Sequence, residues 1–216
     1  MLADIAPKNK PNVRAYLEYV ESVASKNGIF IDAKIRKKQY LRCNHVNIGG
    51  YFDSEERVLA TARYPGMHLT SWLMILVHEA SHMHQFLHCP KMWDSVQIGN
   101  VDVVGAFDAW LVGAIELRKD VRTRYVRKII NFERDCEIRA VGAIEKFNLP
   151  IDVGHYSQAA NEYLLSYRVM LRDRKWYSKG KEPYDYDRMK ESLPGRIMTM
   201  RQIMAYDGFD QFTNDK

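Results

Sequence analysis

Residues 78–82 read His78-Glu79-Ala80-Ser81-His82, two imidazoles four positions apart with a carboxylate directly after the first. On an α-helix, positions i and i+4 stand one turn apart on the same face. Two imidazoles so placed can share one tetrahedral cation, and the ligand type favours zinc. Glu79 follows the first ligand and can approach a water on that ion without ligating it. The ion lowers the pKa of such a water to roughly 7, where a carboxylate can take its proton. The spacing therefore encodes two ligands, His78 and His82, and a general base, Glu79. His84 and His88 are also four apart, but His84 lies two positions from His82 and points elsewhere. Both are read as partly exposed side chains.

A catalytic zinc has three protein ligands and a water, so a third ligand must come from another segment. The segment 129–144 supplies a candidate. On a helix, Ile129, Glu133, Cys136, Glu137, Ala140 and Ile144 fall along one stripe that is otherwise apolar. Two carboxylates on a buried face need a partner, and a metal or a metal-bound histidine would serve. Glu133 can be the ligand and Glu137, one turn on, the carboxylate that orients a ligand histidine. The reverse assignment is open, as are salt bridges from both to Arg134 or Arg139.

The elements that would position these groups can be read from patterning. Residues 12–27 have helical apolar spacing and are followed by Gly28. Residues 29–63 are β-like: Ile29 to Ile31, Asn44 to Phe52, and Arg57 to Tyr64, with a turn at 53–56 joining the last two. Thr70 or Ser71 is expected to cap a helix reaching Leu87 or His88, ended by Cys89-Pro90. A loop over 90–101 precedes a long helical stretch from Asp102, broken near 118–122 and stopped by Leu149-Pro150. Asp152 opens a further helix to about Tyr177, 179–183 is a loop, and Pro194 interrupts the C-terminal segment. The fold class is α+β, mainly helical with a small N-terminal sheet. The expectation is one domain over 1–216, with a helix-and-sheet part (1–66) and a helical part (67–216) that carries the metal site.

The 216 residues are 46% apolar and 27% charged, which excludes a fully disordered chain. Three cysteines, Cys43, Cys89 and Cys136, are too few and too scattered for a disulfide framework or a Cys-rich zinc site. They suit a reducing compartment, and the localisation expected is cytoplasmic. The apolar run Trp72 to Val77 is too short to span a bilayer. The start shows no signal-peptide pattern. Net charge is +5, but residues 118–201 hold 19 Lys and Arg against 12 Asp and Glu. That surplus allows non-specific nucleic-acid contact but does not demand it: solvated helix faces are the plainer explanation, and no DNA-reading motif accompanies it.

With both motifs in hand, the chain resembles the zincin metallopeptidases of the gluzincin kind, which carry HExxH on one helix and a Glu on a later one. The segment Phe132 to Glu137 is similar to the E-x-x-x-D pattern of heat-shock and prenyl-protein metallopeptidases, with Glu137 in place of the Asp. In size the chain is closer to the soluble ImmA/IrrE-like and SprT-like proteins. The run Gly49 to Asp53, with Leu59 to Ala62, Trp72-Leu73 and Leu76 to Glu79, also looks like uncharacterised metallopeptidase-like proteins of phages and large viruses. The likeness covers about residues 48–147, and a phage origin would place the protein in the host cytoplasm.

The resemblance implies a zinc metalloendopeptidase with one zinc per chain, bound by His78, His82 and Glu133, acting on a protein or peptide. It implies an edge strand along the cleft, for which Leu59, Ala60, Thr61, Ala62 and Arg63 are the candidates, Arg63 selecting an acidic side chain. It also implies a transition-state stabiliser from a later segment, His155 or Tyr156. The alternative reading is a zincin-fold binding or regulatory protein whose basic surface meets a protein or nucleic-acid-associated partner.

Overall fold

Pro11 in the first turn and the apolar positions Val13, Tyr16, Leu17, Val20 and Ala24 make α1 (Pro11–Lys26) a helix with one buried face. The computed structural model describes residues 10–33, 41–43, 46–175 and 192–208. It is mainly helical with small sheets, an α+β chain. Two units are distinguished: residues 1–89 with 139–152, and residues 90–138 with 153–216.

In the first unit, α1 leads to β1 (Phe30–Asp32) and a hairpin of β2 (Leu41–Cys43) and β3 (Val46–Ile48). Next come β4 (Gly50–Asp53), β5 (Val58–Thr61) and α2 (Leu69–His88). The expected turn between β4 and β5 is present. Asp53 Oδ1 accepts from the Glu55 and Glu56 amides, each at 2.9 Å, and Arg57 takes up a φ of 51°. β5 pairs parallel to β1 and antiparallel to β4, in the order β1-β5-β4.

That order corrects the expectation for Leu59, Ala60, Thr61, Ala62 and Arg63. β5 is the central strand, its main chain is engaged on both sides, and the Ala62 amide continues the ladder to Gly49 O at 2.7 Å. A peptide cannot add to a strand that has no open edge. The side chains agree with a central position, since Leu59, Ala60, Thr61 and Ala62 are all buried. Arg63 is engaged as well: its guanidinium lies 5.0 Å from the centre of the Trp72 ring, and burial lowers its pKa.

The α2 helix packs against β4 and β5, within the first unit. Its N-cap is His68, without a side-chain cap bond, and Thr70 and Ser71 lie inside the first turn. Thr70 Oγ1 donates instead to Pro150 O at 3.3 Å. The helix ends where the sequence predicts, with the Cys89 amide bonded to Gln85 O ahead of Pro90.

The second unit begins with short elements where a loop was expected: α3 (Pro90–Trp93), a 3-10 turn, and a hairpin of β6 (Gln97–Ile98) and β7 (Val101–Asp102). Asp102 caps α4 (Val103–Leu111), accepting from the Val104 and Gly105 amides. The break falls at 112–118 rather than 118–122. Gly113 takes a φ of 78° there, a left-handed conformation that ends α4. The next helix, α5 (Lys119–Lys146), contributes 119–138 to this unit and 139–146 to the first. After it come α6 (Val153–Asp173), which ends before the expected Tyr177, and α7 (Met200–Ala205), held by a capping box of Thr199 and Gln202. Tyr177 and the expected loop at 179–183 lie outside the described residues. The core of this unit joins Phe107 and Trp110 of α4, Val126 and Ile130 of α5, Leu164 of α6 and Ile203 of α7. No helix among the described residues is long and apolar enough to cross a membrane.

Asp108 is out of place against this core. Burial, and secondarily the nearby charge of Asp102, raise its pKa to about 6. A carboxyl whose pKa is higher folded than unfolded binds more protons in the native state between the two values. Stability therefore falls as pH rises from about 4 through 6, and the cost persists at pH 7. Asp108→Asn is expected to raise the unfolding free energy at pH 7 by about 1–3 kcal/mol. That gain should vanish below about pH 4, as checked by urea denaturation at both pH values.

Candidate metal centre

The α2 helix is predominantly apolar. Trp72, Leu73, Leu76, Val77, Ala80 and Met83 are buried, and that burial holds the HExxH segment as a regular helix. Ser81, a weak helix former, turns its hydroxyl back to Val77 O at 2.7 Å and so is satisfied within the helix. Among these apolar neighbours sit four polar side chains that are 9% exposed or less: Glu79, Ser81, His82 and Gln85. His78 is half-buried.

The two imidazoles meet as the spacing requires. His78 Nε2 and His82 Nε2 are 3.2 Å apart, with the rings edge to face and their centres 4.7 Å apart. Two nitrogens bound at about 2.0–2.1 Å to one tetrahedral zinc are about 3.3 Å apart. The pair thus already has the separation a shared cation demands. The other side of the His82 ring fixes its tautomer: Nδ1 donates to Gln85 Oε1 at 2.8 Å, which leaves the Nε2 lone pair for an acceptor role. Gln85 is fully buried. Sequence reasoning missed it, although a Gln three residues after a candidate ligand histidine lies on the same helix face and was the available signal.

Glu79 is brought against β4. A Cβ built on Gly50 would come within 2.9 Å of Glu79 Cγ, 2.8 Å of Ile75 Cγ2 and 3.0 Å of Ala60 O. Only a residue without a side chain lets the β4 backbone approach α2 this closely. Gly50→Ala is expected to cost about 1–3 kcal/mol by overpacking and to displace the Glu79 side chain. Chemical denaturation measures the first effect. A crystal structure of the variant would show the second.

In the second unit, Glu133, Cys136 and Glu137 are all buried along α5, as the stripe predicts. Tyr156, buried on α6, donates its hydroxyl to Glu137 Oε2 at 2.6 Å. That distance is at the short end of the range for O–H···O bonds. Tyr156, a residue the resemblance offered as a transition-state stabiliser, is thus bonded to Glu137. His155, its neighbour, is exposed. Tyr163 and Tyr167, on the same helix, bond to each other at 2.7 Å. Arg134 spends its Nε on Met198 O at 2.6 Å, and Arg139 directs Nη2 to Cys89 Sγ at 3.1 Å.

His84 belongs to a separate arrangement in the first unit. Its Nε2 is 3.0 Å from Tyr19 OH, and the two rings are stacked at 5.6 Å between centres. Burial, followed by the charges of His88, Arg139 and Lys146, lowers its pKa to about 4, so it packs as a neutral ring.

No family model, no curated protein and no solved structure matches the chain significantly.

Proposed function

We propose that the protein is a zinc-dependent peptidase of zincin type, with His78 and His82 as ligands and Glu79 as general base. The observation that carries this reading is the 3.2 Å separation of two Nε2 atoms on a buried helix, with Gln85 holding one ring in the ligating tautomer. A glutamate directly after the first of these histidines has no role in a purely structural site. The donor set fits zinc, a borderline-soft ion that takes imidazole together with carboxylate or thiolate. The third ligand comes from α5, and Glu133 is the proposed residue. Glu137 and Cys136, a buried cysteine outside any disulfide, lie on the same stripe and are also zinc-competent.

When bound, zinc supplies Lewis-acid polarisation of a carbonyl and acidifies a water. The remaining work falls to the chain. Glu79 accepts the proton of the attacking water and returns it to the departing amine. Gln85 keeps His82 from rotating or changing tautomer, and Tyr156 keeps Glu137 in one orientation. Among the described residues the open strand edges of the sheet are β1 and β4, and β4 is the strand that touches Glu79. Digestion of a broad peptide library by wild type and by Glu79→Gln tests the proposal. Cleavage by wild type alone supports it. An inert wild type that still binds a protein partner would make the chain a binding module.

A further inference from the structure

The second unit holds a cavity of about 800 Å³ lined by Arg124, Arg127, Lys128 and Asn131 of α5, by Met200, Arg201, Met204 and Ala205 of α7, and by Ser95. Four of its nine lining residues are cations and none is acidic. Arg124, Arg127 and Arg201 are exposed, and no ion pair among the described residues involves them. Lys128 donates to Ser95 O at 2.7 Å and so braces the wall. Concentrated positive charge in a concave surface raises the local concentration of anions.

The segment beneath this charge is tied by hydrogen bonds. Asn161 donates to the carbonyls of Pro194 and Arg196 and accepts from the Met198 amide, fixing the segment that leads into α7. Arg168 caps the far end of α7 by donating to Ile203 O and Tyr206 O. Arg201 is therefore presented on a short helix tied at both ends, and little ordering remains to be done on binding.

We propose that this groove binds single-stranded nucleic acid, with phosphates on Arg124, Arg127 and Arg201 and bases against Met200 and Met204. A nucleic acid carries a phosphate in every unit, which suits cations repeated on one helix face with no acid between them. Guanidinium groups match phosphate oxygens two at a time. The polarizable thioethers offer an apolar floor that unstacked bases can cover, whereas a duplex keeps its bases stacked inside. A second basic cavity, of about 410 Å³, is less suited. Its Arg172 is paired with Asp173, and its Arg168 is spent on the α7 carbonyls.

Fluorescence anisotropy of the full chain with a labelled strand of roughly 12 nucleotides and mixed sequence, within the span single-strand grooves cover, tests this. Wild type should bind with an affinity that falls linearly with salt on a log–log scale. Arg124→Ala, Arg127→Ala and Arg201→Ala together should weaken binding at least about tenfold and reduce the salt slope by about 2, at about 0.7 per contact. Each single substitution should reduce it by about 0.7, which keeps the test valid if the triple variant fails to fold. Arg172→Ala should stay within about twofold, and Glu79→Gln should bind as wild type, so the result is independent of the peptidase reading. Unchanged affinity in the triple variant, or an equal loss in Arg172→Ala, would overturn the proposal. So would preferential displacement of the strand by poly-glutamate, which would mark an acidic protein as the ligand.

Discussion

Glu79→Gln should abolish peptide hydrolysis while leaving the fold and the metal in place. The amide matches the carboxylate in size, so the close approach of Gly50 to the Glu79 side chain is preserved. What changes is basicity: an amide cannot accept the proton of the attacking water. General-base assistance is worth roughly 10²–10⁴ in rate, and the loss should fall on kcat, because the substrate is held by other groups. Zinc content should not change, since Glu79 faces β4 and is not a proposed ligand. A variant that cleaves at the wild-type rate would remove Glu79 from the chemistry.

Zinc affinity should rank the surrounding side chains by their role. Loss of a ligand, in His82→Ala or Glu133→Ala, should leave no measurable binding at micromolar zinc. Gln85→Ala should weaken affinity by roughly 10–100-fold, because His82 keeps its lone pair but loses the bond that fixes its tautomer. Glu137→Ala should fall in the same range. Competition titration against a chromogenic chelator gives the order directly. If Glu137→Ala loses zinc and Glu133→Ala does not, their roles are exchanged. If Cys136→Ala alone among the α5 variants loses zinc, a thiolate is the third ligand.

Local features were legible in the sequence. HExxH sits in a run whose apolar spacing is helical, and Cys89-Pro90 stops that helix; both features act within a few residues of themselves. The buried stripe of Glu133 and Glu137 was legible for the same reason. The place of β5 in its sheet was not. Edge or centre depends on β1, a strand far earlier in the chain that pairs parallel to it, and nothing inside 58–61 records that partner. The run Val58 to Ala62, which holds no charged residue and no alternation, was the one hint, because strands covered on both faces read this way. Gly113 marks the true break between α4 and α5, ahead of the charged cluster at 118–122 that draws the eye in the sequence. The basic surplus was visible as a sum, but only tertiary packing brings Arg201 to Arg124 and Arg127.

The zinc content of purified wild type and His82→Ala, measured by elemental analysis after dialysis against metal-free buffer, tests the central claim most directly. About one zinc per chain in wild type and little or none in the variant is the predicted result. Zinc absent from wild type, or undiminished in His82→Ala, would contradict it.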